Sequence, residues 1–173
     1  SFQMVLSLAQ GAIKTLLRHA NKVQRALWLP RLASGEWLAS MCLTEPQAGS
    51  DLGRIKTKAE KIDDSWKING SKIFISGGDQ NLTGKVLHLI LARTSDDGIR
   101  GLSLFIAPSH LEDGSLNKIS VTRLEEKMGM HASPTCQMAF DGADAQLVGK
   151  EGEGLGRMFT MMNAERLDVA IQA

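Results

Sequence analysis

Two short stretches of the chain combine hydroxyl groups with small residues at the ends of strand-like segments. The first is MCLTEPQAGSD, residues 41–51, which carries Thr44 and a run of small residues before its last aspartate. The second is KIFISGG, residues 72–78, an apolar segment that ends in Ser76 and two glycines. Small residues let backbone N–H groups and short hydroxyls approach a ligand closely. The two strand ends therefore predict one wall of a site for a flat, partly apolar ligand.

Each stretch also has a simpler interpretation. Residues 43–51 could form only a Pro–Gly turn between strands. Thr44 and Ser76 could simply satisfy backbone groups where strands end. The pairing of the two stretches favours the ligand site over a simple turn. For Thr44 and Ser76, the residues taken alone favour the structural role at strand ends.

Composition sets the class of protein. The chain has 173 residues, 43% of them hydrophobic and 23% charged, which is typical of a globular domain with one core. A net charge of +1 without a basic stripe argues against nucleic acid or an anionic membrane as partner. Cys42, Cys136 and the four scattered histidines fit neither a disulfide framework nor a metal site. The expected compartment is the reducing cytoplasm, and no apolar run is long enough to span a membrane.

Helical patterns occupy both ends of the chain. Apolar residues at three- and four-residue spacing predict an amphipathic helix over residues 2–18. Asn21 is placed to cap a second helix, which Pro30 is expected to interrupt or restart. Helical periodicity returns after Gly149 and continues to residue 173 without a cap. The missing initiator methionine and the uncapped last helix predict a fragment with helix, β, helix order.

The middle of the chain alternates in the manner of strands. Residues 55–60 alternate apolar and polar side chains, and Asp63-Asp64 predicts a turn. Asn69-Gly70 predicts a hairpin between WKI and SKIFIS. Further strands are predicted at KVLHLILAR, GLSLFIAP, KISVTRL and CQMAF. Short strands without intervening helices predict an antiparallel barrel or sandwich rather than a parallel α/β sheet.

Four motifs in order carry a family resemblance: LTEPQAGSD, WKINGSKIFISGG, EKMGMHASPT and MMNAERLDVA. Together they resemble the middle section of acyl-CoA dehydrogenases, and most of all the branch that acts on 3-methylmercaptopropionyl-CoA. The resemblance implies a fragment of a three-domain α+β enzyme: a mainly β middle domain, an antiparallel barrel or sandwich, with flanking α-helices. Residues 1–37 would end the N-terminal helical domain, residues 38–148 would form the middle domain, and residues 149–173 would begin the C-terminal helical domain.

The resemblance also implies chemistry. Members of this family dehydrogenate an acyl-CoA thioester between its α and β carbons and pass a hydride to N5 of FAD. The full-length protein would then be a homo-oligomer that delivers electrons to an electron-transfer flavoprotein. By resemblance, the cofactor-binding positions are Met41, Leu43, Thr44, Gly49, Ser50, Phe74, Ile75 and Ser76. The substrate-binding positions are Ser50, Asn163 and Arg166. The family's catalytic base, a glutamate of the C-terminal domain, would lie beyond Ala173, so the fragment alone is expected to be inactive.

Several positions depart from the family pattern. Phe74 stands where tryptophan is common, which keeps an apolar face but removes an indole N–H donor. His131 replaces the usual arginine, Asn163 replaces the usual aspartate, and Arg166 could instead pair with a neighbouring acid on a solvated face. Two alternatives therefore stay open: a non-enzymatic β-domain module that has lost flavin, and an acyl-CoA oxidase that passes electrons to oxygen.

Overall fold

The computed structural model of the chain describes residues 2–172, with side chains described for residues 7–166 and 170. The elements in chain order are α1 (Phe2–His19), α2 (Lys22–Ala33), β1 (Leu38–Cys42), β2 (Lys58–Ile62), β3 (Ser65–Ser76), β4 (Val86–Arg93), β5 (Leu102–Pro108), β6 (Ile119–Leu124), β7 (Thr135–Leu147) and α3 (Gly154–Gln172). The predicted helix, β, helix order is confirmed.

Five of the strands close into a barrel. β4 pairs with β5, β5 with β7, β7 with β3, β3 with β2, and β2 returns to β4. β1 joins this ring beside β4, and β6 joins it beside β7. The predicted fold class is confirmed, with one addition, because β1 and β2 both run parallel to β4. The parallel neighbours are possible because long connections separate these strands along the chain.

Alternating side chains of the central strands divide the core into two layers. On one face of the sheet, leucines of β4 such as Leu89 pack with α1, α2 and α3. On the other face, Ile90 and Phe105 fill the barrel interior together with side chains of β3 and β7. β4 is therefore buried on both faces, which explains why its sequence is continuously apolar rather than alternating.

The two turn predictions in the β section have opposite outcomes. The turn at Asp63-Asp64 is confirmed, since Ile62 pairs directly with Ser65 across it. The hairpin predicted at Asn69-Gly70 is wrong, because β3 runs through this pair without interruption. Gly70 has φ of +148°, and a Cβ there would lie only 2.7 Å from the Cα of Thr57. Gly70 therefore lies within a strand, where the absence of a side chain lets the backbone of Thr57 approach closely.

The prediction for the second helix holds at its start and fails near its end. Asn21 caps α2 by accepting a hydrogen bond from the backbone N–H of Gln24, whose side chain accepts one from the N–H of Asn21. Pro30 does not interrupt the helix, which continues to Ala33. Pro30 lies in the last turn, and its carbonyl still accepts a hydrogen bond from Ser34 N–H at 3.0 Å. The missing N–H therefore removes one bond without ending the helix early.

Glycines bring α3 close to β5. Gly154 begins the helix, and a Cβ there would lie 2.3 Å from the carbonyl carbon of Ser103. Just before the helix, the N–H of Gly152 donates to Ser103 Oγ at 2.9 Å. The buried side of α3 then presents Met158 and Met161 to the helical layer of the core. Among the described residues, no helix is both long and apolar enough to cross a bilayer.

Candidate functional site

The chain leaves β1 in a tightly held loop, residues 43–50, which we call the β1 loop. Glu45 and Ala48 exchange two backbone hydrogen bonds, both of 3.0 Å, around Pro46 and Gln47. Within the loop, Leu43 and Thr44 are half-buried, whereas Gly49 and Ser50 are exposed and a Cβ at Gly49 would meet nothing within 4 Å. The first predicted strand end therefore has small, open residues next to a fixed backbone.

The second predicted strand end contains a bulge. Lys72 pairs with Met138 and Ile75 pairs with Cys136, so Ile73 and Phe74 together oppose a single residue of β7. We call these two residues the β3 bulge. Phe74 adopts φ of +58° and its side chain is 60% exposed. Bulges re-aim side chains, and a positive φ at a bulky residue is an uncommon, strained conformation. The strand thus turns an aromatic ring outward at the predicted site.

The two strand ends are joined directly. The N–H of Ile73 donates to the carbonyl oxygen of Thr44 at 2.9 Å, so the β3 bulge is hydrogen-bonded to the β1 loop. Beyond the bulge, Ile75 is buried in the barrel core and Ser76 pairs with Thr135 of β7. The sequence prediction that these stretches lie side by side is consistent with this geometry.

Three of the predicted site residues carry hydroxyls that no other described residue contacts through a hydrogen bond. No hydrogen bond is formed by the side chains of Thr44, Ser50 or Ser76 to any described residue, although Thr44 and Ser76 are half-buried. Partly buried hydroxyls that the protein leaves unpaired are free to bind a ligand. Met41 lies on β1 just before the loop and packs partly against the helical layer of the core.

Sequence reasoning missed a buried ion pair between the two strand ends. Lys72 Nζ lies 2.8 Å from Glu45 Oε1, with side-chain exposures of 0% and 3%. Burial alone would raise the pKa of the Glu45 carboxyl, but the Lys72 charge and hydrogen bonds from Lys72, Thr57 and Lys56 together lower it. Burial lowers the pKa of Lys72, and Glu45 opposes that shift. A lysine directly before the apolar residues 73–75, with a glutamate next to Thr44, was the available signal.

A third motif of the sequence comes to the same end of the barrel. The β6–β7 loop, residues 125–134, contains EKMGMHASP and is anchored to the start of β7. Lys127 Nζ donates to Thr135 Oγ1 at 3.0 Å, and the N–H of Gly77 donates to Pro134 O at 2.9 Å. The loop displays exposed side chains at Met128 and His131. Three of the four sequence motifs therefore meet at the end of β3.

The predicted substrate residues of the fourth motif lie on α3. Asn163 and Arg166 are both exposed, and Arg166 Nη1 donates to Asn163 Oδ1 at 3.2 Å. Asn163 also lines an open groove of about 760 Å³ between α1 and α3, together with Lys14 and Phe159. The role of Asn163 and Arg166 in substrate binding remains a prediction.

A polar chain runs through the core behind Met41. Ser40 Oγ lies 2.8 Å from His88 Nδ1 and 3.4 Å from Cys42 Sγ, and all three residues are buried. Burial raises the pKa of the Cys42 thiol to about 12, so this cysteine is not a thiolate nucleophile. Cys42 and Cys136 are both buried and unpaired, as expected for small apolar residues. Burial also lowers the pKa of His88 to about 3.

His88 predicts a specific response to acid. Its pKa is lower in the folded protein than the ordinary 6.5, so the unfolded chain binds the proton first as pH falls. The stability contributed by neutral His88 is therefore fully present above pH 6.5 and is lost as the pH falls towards about 3, with a slope approaching ~1.4 kcal/mol per pH unit. Ring-nitrogen NMR shifts should show a neutral His88 at pH 5. Urea unfolding at a series of pH values gives the free energy of unfolding as a function of pH, and in His88→Gln this part of its pH dependence should vanish. A His88 titration near pH 6.5 would contradict the prediction.

Comparison of the sequence with models of protein families identifies the family of this chain. The model described as acyl-CoA dehydrogenase, middle domain, matches residues 40–143, which include the β1 loop, the β3 bulge and the β6–β7 loop. The chain belongs to the acyl-CoA dehydrogenase family. The resemblance inferred from the four motifs is thereby confirmed.

Individual relatives of the acyl-CoA dehydrogenase family agree with this. A 3-methylmercaptopropionyl-CoA dehydrogenase of Ruegeria pomeroyi is 43% identical over 99% of this chain and 31% of its own length. The broad-specificity linear acyl-CoA dehydrogenase FadE5 of Mycobacterium tuberculosis is 38% identical, over 91% of this chain and 28% of its own length. The chain thus spans about a third of the length of these curated relatives.

A solved structure confirms the fold. The structure of a glutaryl-coenzyme A dehydrogenase glutaryl-CoA complex matches with a TM-score of 0.77 and 33% identity. That match covers 95% of this chain and 39% of the other. The barrel and its flanking helices therefore share the fold of that family member over nearly the whole of this chain.

Proposed function

We propose that residues 1–173 form the flavin- and acyl-CoA-binding section of a longer acyl-CoA dehydrogenase. The observation that carries the proposal is the pair of hydroxyls at Thr44 and Ser76, which form no hydrogen bond to any described residue. They lie at two strand ends that a backbone hydrogen bond joins. Beside them the ring of Phe74 is 60% exposed. An exposed aromatic ring with polar groups at its edge suits a planar ligand that has apolar faces and a polar rim.

The residues present fit FAD in this role. Hydroxyls of Thr44 and Ser76 would hold the polar edge of the flavin ring, and Phe74 and Met41 would supply apolar contacts. Leu43, Gly49, Ser50 and Ile75 complete the proposed cofactor positions, and the open space at Gly49 lets a ligand approach the backbone. When bound, FAD supplies the hydride acceptor for dehydrogenation of the acyl thioester.

The chain's own contribution is binding and orientation. Ser50, Asn163 and Arg166 would contact the acyl-CoA, and the base that removes the α proton would come from a glutamate outside residues 1–173. In this proposal residues 1–37 end one helical domain, residues 38–148 are the middle domain, and residues 149–173 begin the second helical domain. An electron-transfer flavoprotein as acceptor, a homo-oligomeric state and a cytoplasmic location are parts of the same proposal.

The test uses the full-length protein and its flavin. We expect a yellow complex with FAD that is bleached by an acyl-CoA. Thr44→Ala and Ser76→Ala should each weaken FAD binding about fivefold, since each removes one hydrogen bond worth ~1 kcal/mol. Ser120→Ala, at an exposed hydroxyl on β6, is the matched control and should bind FAD normally.

Other outcomes identify the alternatives. A full-length protein that never retains flavin would favour a β-domain binding module. Formation of hydrogen peroxide during turnover in air would favour an acyl-CoA oxidase. Unchanged FAD affinity in both Thr44→Ala and Ser76→Ala would refute the placement of the flavin edge at these strand ends.

A further inference from the structure

The ion pair between Glu45 and Lys72 is unusual in being almost completely removed from water. The two side chains are 3% and 0% exposed, and their charged atoms lie 2.8 Å apart. A buried ion pair contributes little net stability, since the desolvation of two charges offsets most of their attraction. Removing one partner is nevertheless costly, because it leaves the other charge buried and uncompensated. The stability of the fold alone therefore does not explain why charged side chains occupy this place.

Three hydrogen bonds of the pair go to backbone groups on either side of the candidate site. Glu45 accepts hydrogen bonds from the N–H of Lys56 at 2.7 Å and from the N–H of Thr57 at 3.0 Å. Lys72 Nζ donates to the carbonyl oxygen of Leu43 at 3.1 Å. The side-chain amide of Gln47 also donates to Glu45. The pair thereby ties the β1 loop to β3 and to the segment that leads into β2.

The pair stands next to both groups proposed to contact the flavin. Glu45 directly follows Thr44 in the chain, and Lys72 directly precedes the β3 bulge that carries Phe74. The ammonium group of Lys72 donates a hydrogen bond to the carbonyl oxygen of Leu43, and the N–H of Ile73 donates one to the carbonyl oxygen of Thr44. The carbonyl groups of Leu43 and Thr44 thus both accept hydrogen bonds from β3, the strand that bears Phe74 and Ser76.

We propose that Glu45 and Lys72 are positioning residues that set the relative placement of Thr44 and the β3 bulge for flavin binding. This inference rests on the proposed function for its flavin readout. Neither residue needs to touch the cofactor. Their role is to hold two strand ends, 27 residues apart in sequence, in one fixed geometry.

The test compares single and double variants of the full-length protein. In Lys72→Met the carboxylate of Glu45 loses its counter-ion, and both the melting temperature and FAD affinity should fall. The double variant Glu45→Gln/Lys72→Met removes both charges, so the melting temperature should recover most of the loss. FAD binding should stay about tenfold weaker or more, because a loop displaced by a fraction of an ångström presents Thr44 wrongly. Glu45→Asp keeps both charges but shortens the carboxylate, and should also weaken FAD binding.

A matched control exists on the same strand. Lys67 of β3 pairs with Asp144 of β7, but this pair is about one-third exposed, at 28% and 35%. Lys67→Met/Asp144→Asn removes a positive charge from β3 and a negative charge from β7 without touching the β1 loop. This control should leave FAD affinity within about twofold of the wild-type value.

Hydrogen exchange on the flavin-free protein gives a second readout. Amides of residues 43–50 and 56–57 should exchange faster in the double variant, whereas amides of the barrel core should keep their protection. If FAD affinity and loop protection recover together with the melting temperature, or if Glu45→Asp binds FAD normally, the positioning role is refuted. A wild-type protein that binds no FAD would refute the proposed function instead, and hydrogen exchange would still decide whether the pair fixes the loop.

Discussion

Replacing Gly70 by alanine is expected to lower the free energy of unfolding by about 3 kcal/mol. Two costs combine at this position. The backbone has φ of +148°, which a side chain disfavours, and the new methyl would lie 2.5 Å from Thr57 Oγ1 and 2.7 Å from Thr57 Cα. A flexible side chain could move away, but the Thr57 backbone is held by its own N–H bond to Glu45. Urea unfolding of the full-length protein would measure the loss.

Gly84→Ala is the matched control for backbone strain. Gly84 also has positive φ, at +69°, but a Cβ there would meet nothing within 4 Å. We expect a loss of about 1 kcal/mol, from conformation alone. Because Gly70 packs against the segment that binds Glu45, Gly70→Ala should also speed hydrogen exchange in the β1 loop. Equal losses in the two variants would show that Thr57 yields and that the close approach is not required.

Phe105→Ala is expected to cost about 3–5 kcal/mol. The ring is fully buried inside the barrel, and its centroid lies 5.2 Å from that of Trp66. The same interior cluster contains Ile75 of the candidate site and Cys42 at the end of β1. The cavity left by the ring cannot be filled without moving strands that are hydrogen-bonded on both edges. Thermal or urea unfolding should therefore report a large loss of stability.

Phe74→Ala provides the contrast for the same substitution. Its side chain is 60% exposed, so truncation should change stability by only about 0.5 kcal/mol. Its effect should appear in FAD affinity instead, because the ring is proposed to face the flavin. A destabilisation at Phe74 as large as that at Phe105 would contradict both the burial argument and the proposed role of this ring.

Gly70 and Pro30 show where local sequence patterns mislead. Asn69-Gly70 has the composition of a hairpin turn, yet the strand continues through it, because Gly70 serves a contact with Thr57. Pro30 has the composition of a helix breaker, yet it lies in the last turn, where its missing N–H costs one bond. Propensity describes a residue's own backbone, and in both cases a contact or a position within the element outweighs it.

The sequence by itself determined the family, the helix, β, helix order and the two strand ends at Thr44 and Ser76. These depend on periodicity, turn chemistry and ordered motifs, all of which are local and readable along the chain. Only the tertiary structure decided that Glu45 and Lys72 form a buried pair, that Phe74 turns outward on a bulge, and that β1 and β2 run parallel to β4. Each of these depends on segments that are distant in sequence. Their partners, and so their burial and charge state, exist only once the barrel has closed.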